Sequence, residues 1–173
     1  MFPTLWVGDR LVVEKVSYWV RPPQRGEIIV FHPPAELDFR GAFIKRVIGL
    51  PGDRIRIEDG TVYINHTPLP EPYLAEKPNY ICPGECPGIE TEESEFIVPE
   101  QAYFVMGDNR NNSQDSHFWG FLPKDNIIGR AILRFWPLNA ITYFSLPNYS
   151  LAPEYALLRS TSATEDISST PIR

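Results

Sequence analysis

Asp53-Arg-Ile-Arg-Ile-Glu-Asp59-Gly60-Thr-Val-Tyr-Ile-Asn65 is the stretch whose reading decides the fold. Ile55 and Ile57 on one side, Val62 and Ile64 on the other, alternate with polar or half-polar neighbours, which is the period of a strand rather than a helix. Between them Asp59-Gly60 suits a type I′ turn, whose central residues need positive φ that glycine accepts freely. Residues 54–65 are therefore expected to form a hairpin. Outward from it, other short apolar or β-branched runs bounded by turn residues predict strands at 10–16, 27–32, 42–48, 53–58, 61–65, 95–98, 102–106 and 127–135. No helical periodicity of useful length appears. The 18 prolines in 173 residues are about twice the usual ~5% and break helices, so a helical bundle is excluded and the expected class is mostly β.

The length allows one domain, or a core with one sizeable insertion. Lys plus Arg number 16 against 22 Asp plus Glu, a net charge of -6, so nucleic acid is not an expected partner. The uncharged run 135–153 is cut by Pro137, Pro147 and Pro153, with Asn139 and Asn148, and does not read as a spanning helix. The start, Met-Phe-Pro-Thr-Leu-Trp, lacks the basic head and apolar stretch of a signal peptide, so the chain by itself is expected to carry neither anchor nor export signal. From Thr67 to Glu95 the composition shifts to Pro, Glu and Gly with few apolar anchors, and reads as an irregular loop in an inserted lobe spanning 54–98. Residues 138–173, rich in Ser, Thr, Ala and Pro towards the end, read as a weakly ordered tail. Cys82 and Cys86 supply two ligands where a structural zinc wants four, and His32, His66 and His117 are scattered, so neither metal nor cofactor is expected. A short-loop disulfide and a pair of free thiols remain equally compatible with that spacing. Asn-x-Ser/Thr triplets at Asn65, Asn111 and Asn148 are short enough to arise by chance.

Two segments look unlike scaffolding. In Phe43-Ile-Lys45-Arg46-Val-Ile-Gly-Leu-Pro-Gly-Asp53, strand alternation places Lys45 on a face with Phe43 and Val47, and Arg46 on the other with Ile44 and Ile48. One cation must then sit among apolar neighbours. A lysine so shielded loses part of its preference for the charged form and becomes a possible general base, although a strand lysine taken alone is ordinarily a solvated edge residue. The second is Met106-Gly-Asp108-Asn-Arg110-Asn-Asn-Ser113-Gln-Asp115-Ser116-His117-Phe-Trp-Gly120, fifteen polar-rich residues where a plain turn needs far fewer. Asp115, Ser116 and His117 are adjacent, and adjacent side chains rarely align into a hydrolase triad.

Met-Phe-Pro-Thr-Leu, Gly8-Asp9-Arg10 through Lys15, Arg25-Gly26-Glu27 through Phe31, Ile44-Lys45-Arg46 through Asp53, and Gly107-Asp108-Asn109-Arg110 with Ser113, Asp115-Ser116-His117 and Trp119-Gly120 together resemble the ordered sequence boxes of type I signal peptidases over about residues 1–137. The resemblance implies a membrane-bound serine endopeptidase that removes signal peptides from exported preproteins with a Ser-Lys dyad. The implied fold is mostly antiparallel β, its catalytic core (1–53 and 99–137) interrupted by the 54–98 lobe. Lys45 matches the general base, Ser113 the serine that orients it, Asp108 with Arg46 a supporting ion pair, and Asp115 the acidic position of the last box. Met1, Leu5, Phe43 and Ile44 match the walls of small-residue substrate pockets. His117 stands where the family often has Arg, in a form that resembles cyanobacterial and thylakoid-processing members, so the implied location is a membrane, with the catalytic part on the periplasmic, extracytoplasmic or thylakoid-lumen side. Contact with the membrane surface is expected near Trp136, with Phe135 and Trp6. In the family's first box the nucleophilic serine immediately precedes the residue matching Met1. Thr4 lies too far along to replace it, so the chain as it stands is expected to be inactive, either as a truncated enzyme lacking serine and anchor or as a serine-less homologue that binds signal-peptide ends without cutting. A secreted β-rich binding domain is the reading that needs no resemblance, since fold alone chooses no function.

Overall fold

A computed structural model of the chain describes residues 1–89, 93–147 and Tyr149. Its strands, numbered in chain order, are β1 (Arg10–Glu14), β2 (Ile28–Phe31), β3 (Phe43–Gly49), β4 (Arg54–Glu58), β5 (Thr61–Ile64), β6 (Thr67–Pro68), β7 (Phe96–Ile97), β8 (Ala102–Met106), β9 (Leu122–Pro123), β10 (Ile127–Trp136) and β11 (Thr142–Tyr143). Two single-turn helices, α1 (Ser17–Val20) and α2 (Ser116–Trp119), and a few 3₁₀ turns complete the described residues. All strand pairs are antiparallel.

The hairpin forms as the alternation predicts: Glu58 faces Thr61 and Ile57 faces Val62 across the turn, where Asp59 has φ 49° and Gly60 φ 69°. Ile55, Ile57, Val62 and Ile64 all point to one buried face of a four-stranded sheet ordered β6-β5-β4-β7. A second sheet of seven strands runs β1-β10-β2-β3-β8-β9, with β11 added alongside β10. β3 lies between β2 and β8, so both of its edges are hydrogen-bonded, and it is buried from Arg46 to Gly49. Ile48 joins Phe104, Met106 and the hairpin's apolar face in one cluster, which welds the two sheets together. Val47, on the opposite face, packs with Ile29, Phe31, Tyr103, Val105 and Leu122.

The loop after the hairpin differs from the sequence reading. Leu69, Cys82, Cys86 and Ile89 are buried in the inter-sheet cluster, and Cys82 exchanges backbone hydrogen bonds of 2.7 and 2.9 Å with Ile57. Of the two states open to Cys82 and Cys86, the disulfide is the one present. These anchors come singly, without a strand or helix period, which is why the apolar pattern did not reveal them. Residues 138–147 also differ from a weakly ordered tail: they hold a 3₁₀ turn at Leu138–Ala140 and β11, and Phe144 packs against the cluster of Leu5, Ile28 and Ala131. In the rest of the expected tail, Asn148, Ser150 and residues 151–173 lie outside the described residues, and the triplet at Asn148 with them.

Candidate active site

β3 delivers Lys45 and Arg46 to its opposite faces, and the polar segment after β8 supplies a partner to each. Arg46 is buried and holds the buried carboxylate of Asp108 with both forks, Nε to Oδ1 at 2.8 Å and Nη2 to Oδ2 at 2.7 Å, while Nη1 donates to the carbonyl of Gly26 at 2.9 Å. Tyr73 from the insert lies under the guanidinium at 3.8 Å, and the hydroxyl of Thr4 donates to the same carboxylate. A bidentate pair with its remaining sites filled is the form in which buried charge is tolerated.

Lys45 has no such carboxylate in contact. Its Nζ donates to the hydroxyl of Ser113 at 2.7 Å and lies 5.8 Å from the ring centre of Phe43. Burial lowers its pKa from the ordinary lysine value, while the charges of Asp115 and Asp108 pull more weakly the other way. Gly107 allows the approach: a Cβ there would meet Ser113 Cβ at 2.8 Å and Lys45 Nζ at 3.5 Å. The Met1 nitrogen belongs to the same neighbourhood, close enough for Lys45, Asp108 and Asp115 all to act on it electrostatically.

Asp115 is fully buried and works on the backbone. Its carboxylate accepts the Gly107 N–H at 2.8 Å and, as the N-cap of α2, the His117 N–H at 3.3 Å. Nδ1 of His117 sits 2.6 Å from Oδ1 of Asp115, and the imidazole stacks on Tyr80 at 4.5 Å. Ser116 is equally buried, its hydroxyl accepting the Val105 N–H at 2.9 Å, so Asp115, Ser116 and His117 form a structural cap instead of a hydrolase triad.

Met1, Leu5 and Ile44 meet in one apolar wall with Ile28, Leu11, Ala131 and Phe144. Phe43 does not join them: strand alternation turns it to the other face, against Phe31 at 6.1 Å and Phe39 at 5.0 Å. Sequence reasoning assigned no role to three residues that brace the site. Arg110, almost fully buried, donates through Nε to the carbonyl of Gly107 at 3.2 Å and binds Glu71 with its other two nitrogens. With Tyr73, Glu71 ties the insert to the segment carrying Asp108 and Ser113. Arg110 could have been flagged as a cation within an otherwise polar turn; nothing in the local pattern marks Glu71 or Tyr73. Among the described residues no group of three or more His, Cys, Asp and Glu side chains could hold a metal ion.

The profile of the family described as "Signal peptidase, peptidase S26" matches residues 1–136, a stretch that contains Met1, Lys45, Arg46, Asp108, Ser113 and Asp115. The chain belongs to that family. Similar S26 relatives include the signal peptidase I of Leptolyngbya laminosa, 51% identical over 82% of this chain and 66% of that protein. Probable signal peptidase I-2 of a Synechocystis species is 50% identical over 82% of this chain and 61% of its own length. Probable thylakoidal processing peptidase 2, chloroplastic, of Arabidopsis thaliana is 41% identical over 82% of this chain and 37% of that protein. The chain thus spans less than two thirds of the length of these S26 proteins. Among the described residues no helix is long and apolar enough to cross a membrane.

Proposed function

We propose that this polypeptide carries the catalytic part of an endopeptidase that removes signal peptides from exported preproteins, with Lys45 as general base. The observation that supports the reading is a shielded amine with a lowered pKa, held 2.7 Å from a hydroxyl and out of contact with any carboxylate. Such an amine can be neutral when it is needed, which a solvated lysine near neutrality is not. In this reading the nucleophile is the serine of the family's first box, in the position immediately before the residue matching Met1. Neutral Lys45 takes the proton of that serine, the oxygen attacks the scissile carbonyl, and the same proton passes to the departing amine; water, activated by the same base, then cleaves the acyl-enzyme. Ser113 fixes the Lys45 amine in direction, Asp108 and Arg46 hold the strand ends that carry the site, and Asp115 fixes the Gly107 backbone.

The wall of Met1, Leu5 and Ile44, with Phe43 bordering the Lys45 side, leaves room for small side chains of an extended substrate. A pure binding module would gain nothing from an unpaired shielded amine. The exposed side chains of Trp6, Val7 and Trp136 line one cleft at the end of β10, Phe135, Leu138 and Ile141 are exposed in the adjoining sequence, and together they suit a membrane interface on the extracytoplasmic or thylakoid-lumen side.

The test is a chain extended upstream through Ser and several further residues, assayed on a signal-peptide substrate beside residues 1–173. Cleavage by the extended chain alone is expected; substantial cleavage by residues 1–173 would refute the assignment of the nucleophile. The extension must exceed one residue, because an N-terminal serine would bring a charged amine beside Lys45.

A further inference from the structure

Away from the Lys45 site, the far end of β1 and the start of β10 enclose an open cleft of about 540 Å³, whose lining includes Lys15, Tyr18, Trp19, His32, Lys124 and Asp125. It shares no residue with the site around Lys45. Three features make this cleft unlike incidental surface. The chain has four lysines and a net charge of -6, yet two of the four, Lys15 and Lys124, line this single cleft, and neither forms an ion pair with a described residue. Beside it, Val16, Trp19 and Val20 on and before α1 are 60%, 80% and 83% exposed. Finally, α1 is not loose. The buried Glu27 carboxylate accepts the Tyr18 hydroxyl at 2.8 Å, the Gln24 N–H at 3.1 Å, Arg21 at 2.5 Å and Arg130 at 3.1 Å, and Glu14 accepts the Ser17 N–H at 3.0 Å. Tyr18 is drawn inward by these bonds, and its neighbour Trp19 is thereby held outward.

A pinned single turn that presents bare Trp and Val beside unpaired lysines has the chemistry of a lipid-water boundary. Its aromatic and aliphatic side chains match the acyl border, its ammonium groups the anionic headgroups just above it. We infer that this cleft is a binding site for the anionic headgroup of a membrane lipid, with Lys15 and Lys124 on the phosphate or sulfonate and Trp19 and Val20 entering the acyl boundary. The single acidic side chain of the lining, Asp125, together with the Asn126 amide and the His32 ring, supplies polar contacts suited to headgroup hydroxyls. The site adds headgroup selectivity to whatever the Trp136 end contributes, and it does so in a protein whose net charge opposes an anionic surface.

Co-sedimentation of residues 1–173 with vesicles of phosphatidylcholine alone, or with one third phosphatidylglycerol, tests this. Tighter binding to the anionic vesicles is expected, and K15S/K124S should weaken it about tenfold or more, the worth of two lysines at a charged surface. Trp19→Ser should weaken binding to both vesicles. Lys77→Ser, which removes an exposed lysine outside the cleft, should change affinity less than twofold, and Trp136→Ser should leave the preference for anionic lipid intact. The inference is overturned if anionic lipid gives no advantage, if Lys77→Ser costs as much per charge as the cleft lysines, or if inorganic phosphate or an acidic peptide displaces the chain from anionic vesicles at concentrations that match only its charge. No turnover is measured, so the outcome is independent of the Ser-Lys proposal.

Discussion

The two faces of β3 treat neighbouring cations in opposite ways. On one face Arg46 is buried with a bidentate carboxylate, a backbone carbonyl and a stacked phenol, so its charge is permanent and serves to hold parts of the chain together. On the other, Lys45 is shielded with only the hydroxyl of Ser113 in contact and carboxylates at a remove. On the proposed reading of Lys45 as a base, burial alone does not make one. What matters is burial with the compensating carboxylate withheld, and the choice of residue follows: a guanidinium stays protonated in either setting, whereas an ammonium can yield.

The largest effect is expected from erasing that distinction. In the serine-extended chain Lys45→Arg should abolish turnover as completely as Lys45→Ala, because a guanidinium cannot accept the hydroxyl proton; substantial cleavage by the arginine variant breaks the comparison. Activity of the parent should rise with pH as Lys45 deprotonates, with a midpoint below that of a free lysine at about 10.4. Asp115→Asn should move the midpoint further down, since that carboxylate favours the charged amine. The same shift has a cost in stability. Below the lowered folded-state pKa the fold must carry a charged amine it disfavours, so the native state is penalised there, and the penalty fades as pH rises through the folded-state pKa towards the unfolded value. Lys45→Met should raise Tm at neutral pH and lose that advantage in alkali.

The other face should answer in stability. Asp108→Ala leaves Arg46 buried and unpaired, a loss of about 3–5 kcal/mol, read as a lowered midpoint of urea unfolding. The double change Arg46→Met with Asp108→Leu removes both charges and should recover much of it. If Asp108→Ala unfolds no more easily than the parent, the pair is not the structural clamp described.

How much of this could be read in the chain depended on whether the signal was local. The hairpin at 54–65 was legible because alternation and Asp-Gly specify it within twelve residues, and the seven longer predicted strands fall where the apolar runs lie. Lys45 was legible as one of two cations forced into apolar company, but not which face would pair it, since Asp108 comes from more than sixty residues away. Phe43 was grouped with Ile44 as a pocket wall, whereas alternation, already applied to Lys45 and Arg46, separates them. Glu71 and Tyr73 were out of reach: they sit in a segment without period and matter only because the fold sets them against Arg110 and Arg46.

A subtler change sharpens the Lys45 side without touching a titrating group. Gly107→Ala introduces a methyl where Ser113 Cβ would lie 2.8 Å away, so Ser113 must leave its position on Lys45. The amine then keeps its burial but loses its direction. A fall in kcat of about a hundredfold is expected with KM little changed, the size of a misplaced catalytic group. Rescue is unavailable to Ser113→Thr, which adds bulk at the same point. An alanine variant with full kcat would show that the Ser113 contact is incidental.

The smallest effect belongs to the wall that Ile44, on the Arg46 face of β3, forms with the N-terminal segment. Ile44 lies one residue from Lys45 but packs with Met1 and Leu5, so in the proposed reading it borders the substrate without entering the proton chemistry. Ile44→Ala removes three carbon atoms from that wall and opens space next to the buried Leu5. In the extended enzyme, a substrate with a larger side chain at the first or third position before the cut should gain relative to one with alanine there, by about tenfold or more in kcat/KM, since each methylene fitted into a pocket is worth roughly 1–3 kcal/mol. Leu5→Ala should act in the same sense but at a cost in stability, because Leu5 is buried and leaves a cavity. The alkaline midpoint should not move in either variant, as neither side chain carries charge or contacts Nζ. A shifted midpoint with unchanged side-chain preference would mean that the wall shields Lys45 instead of reading the substrate.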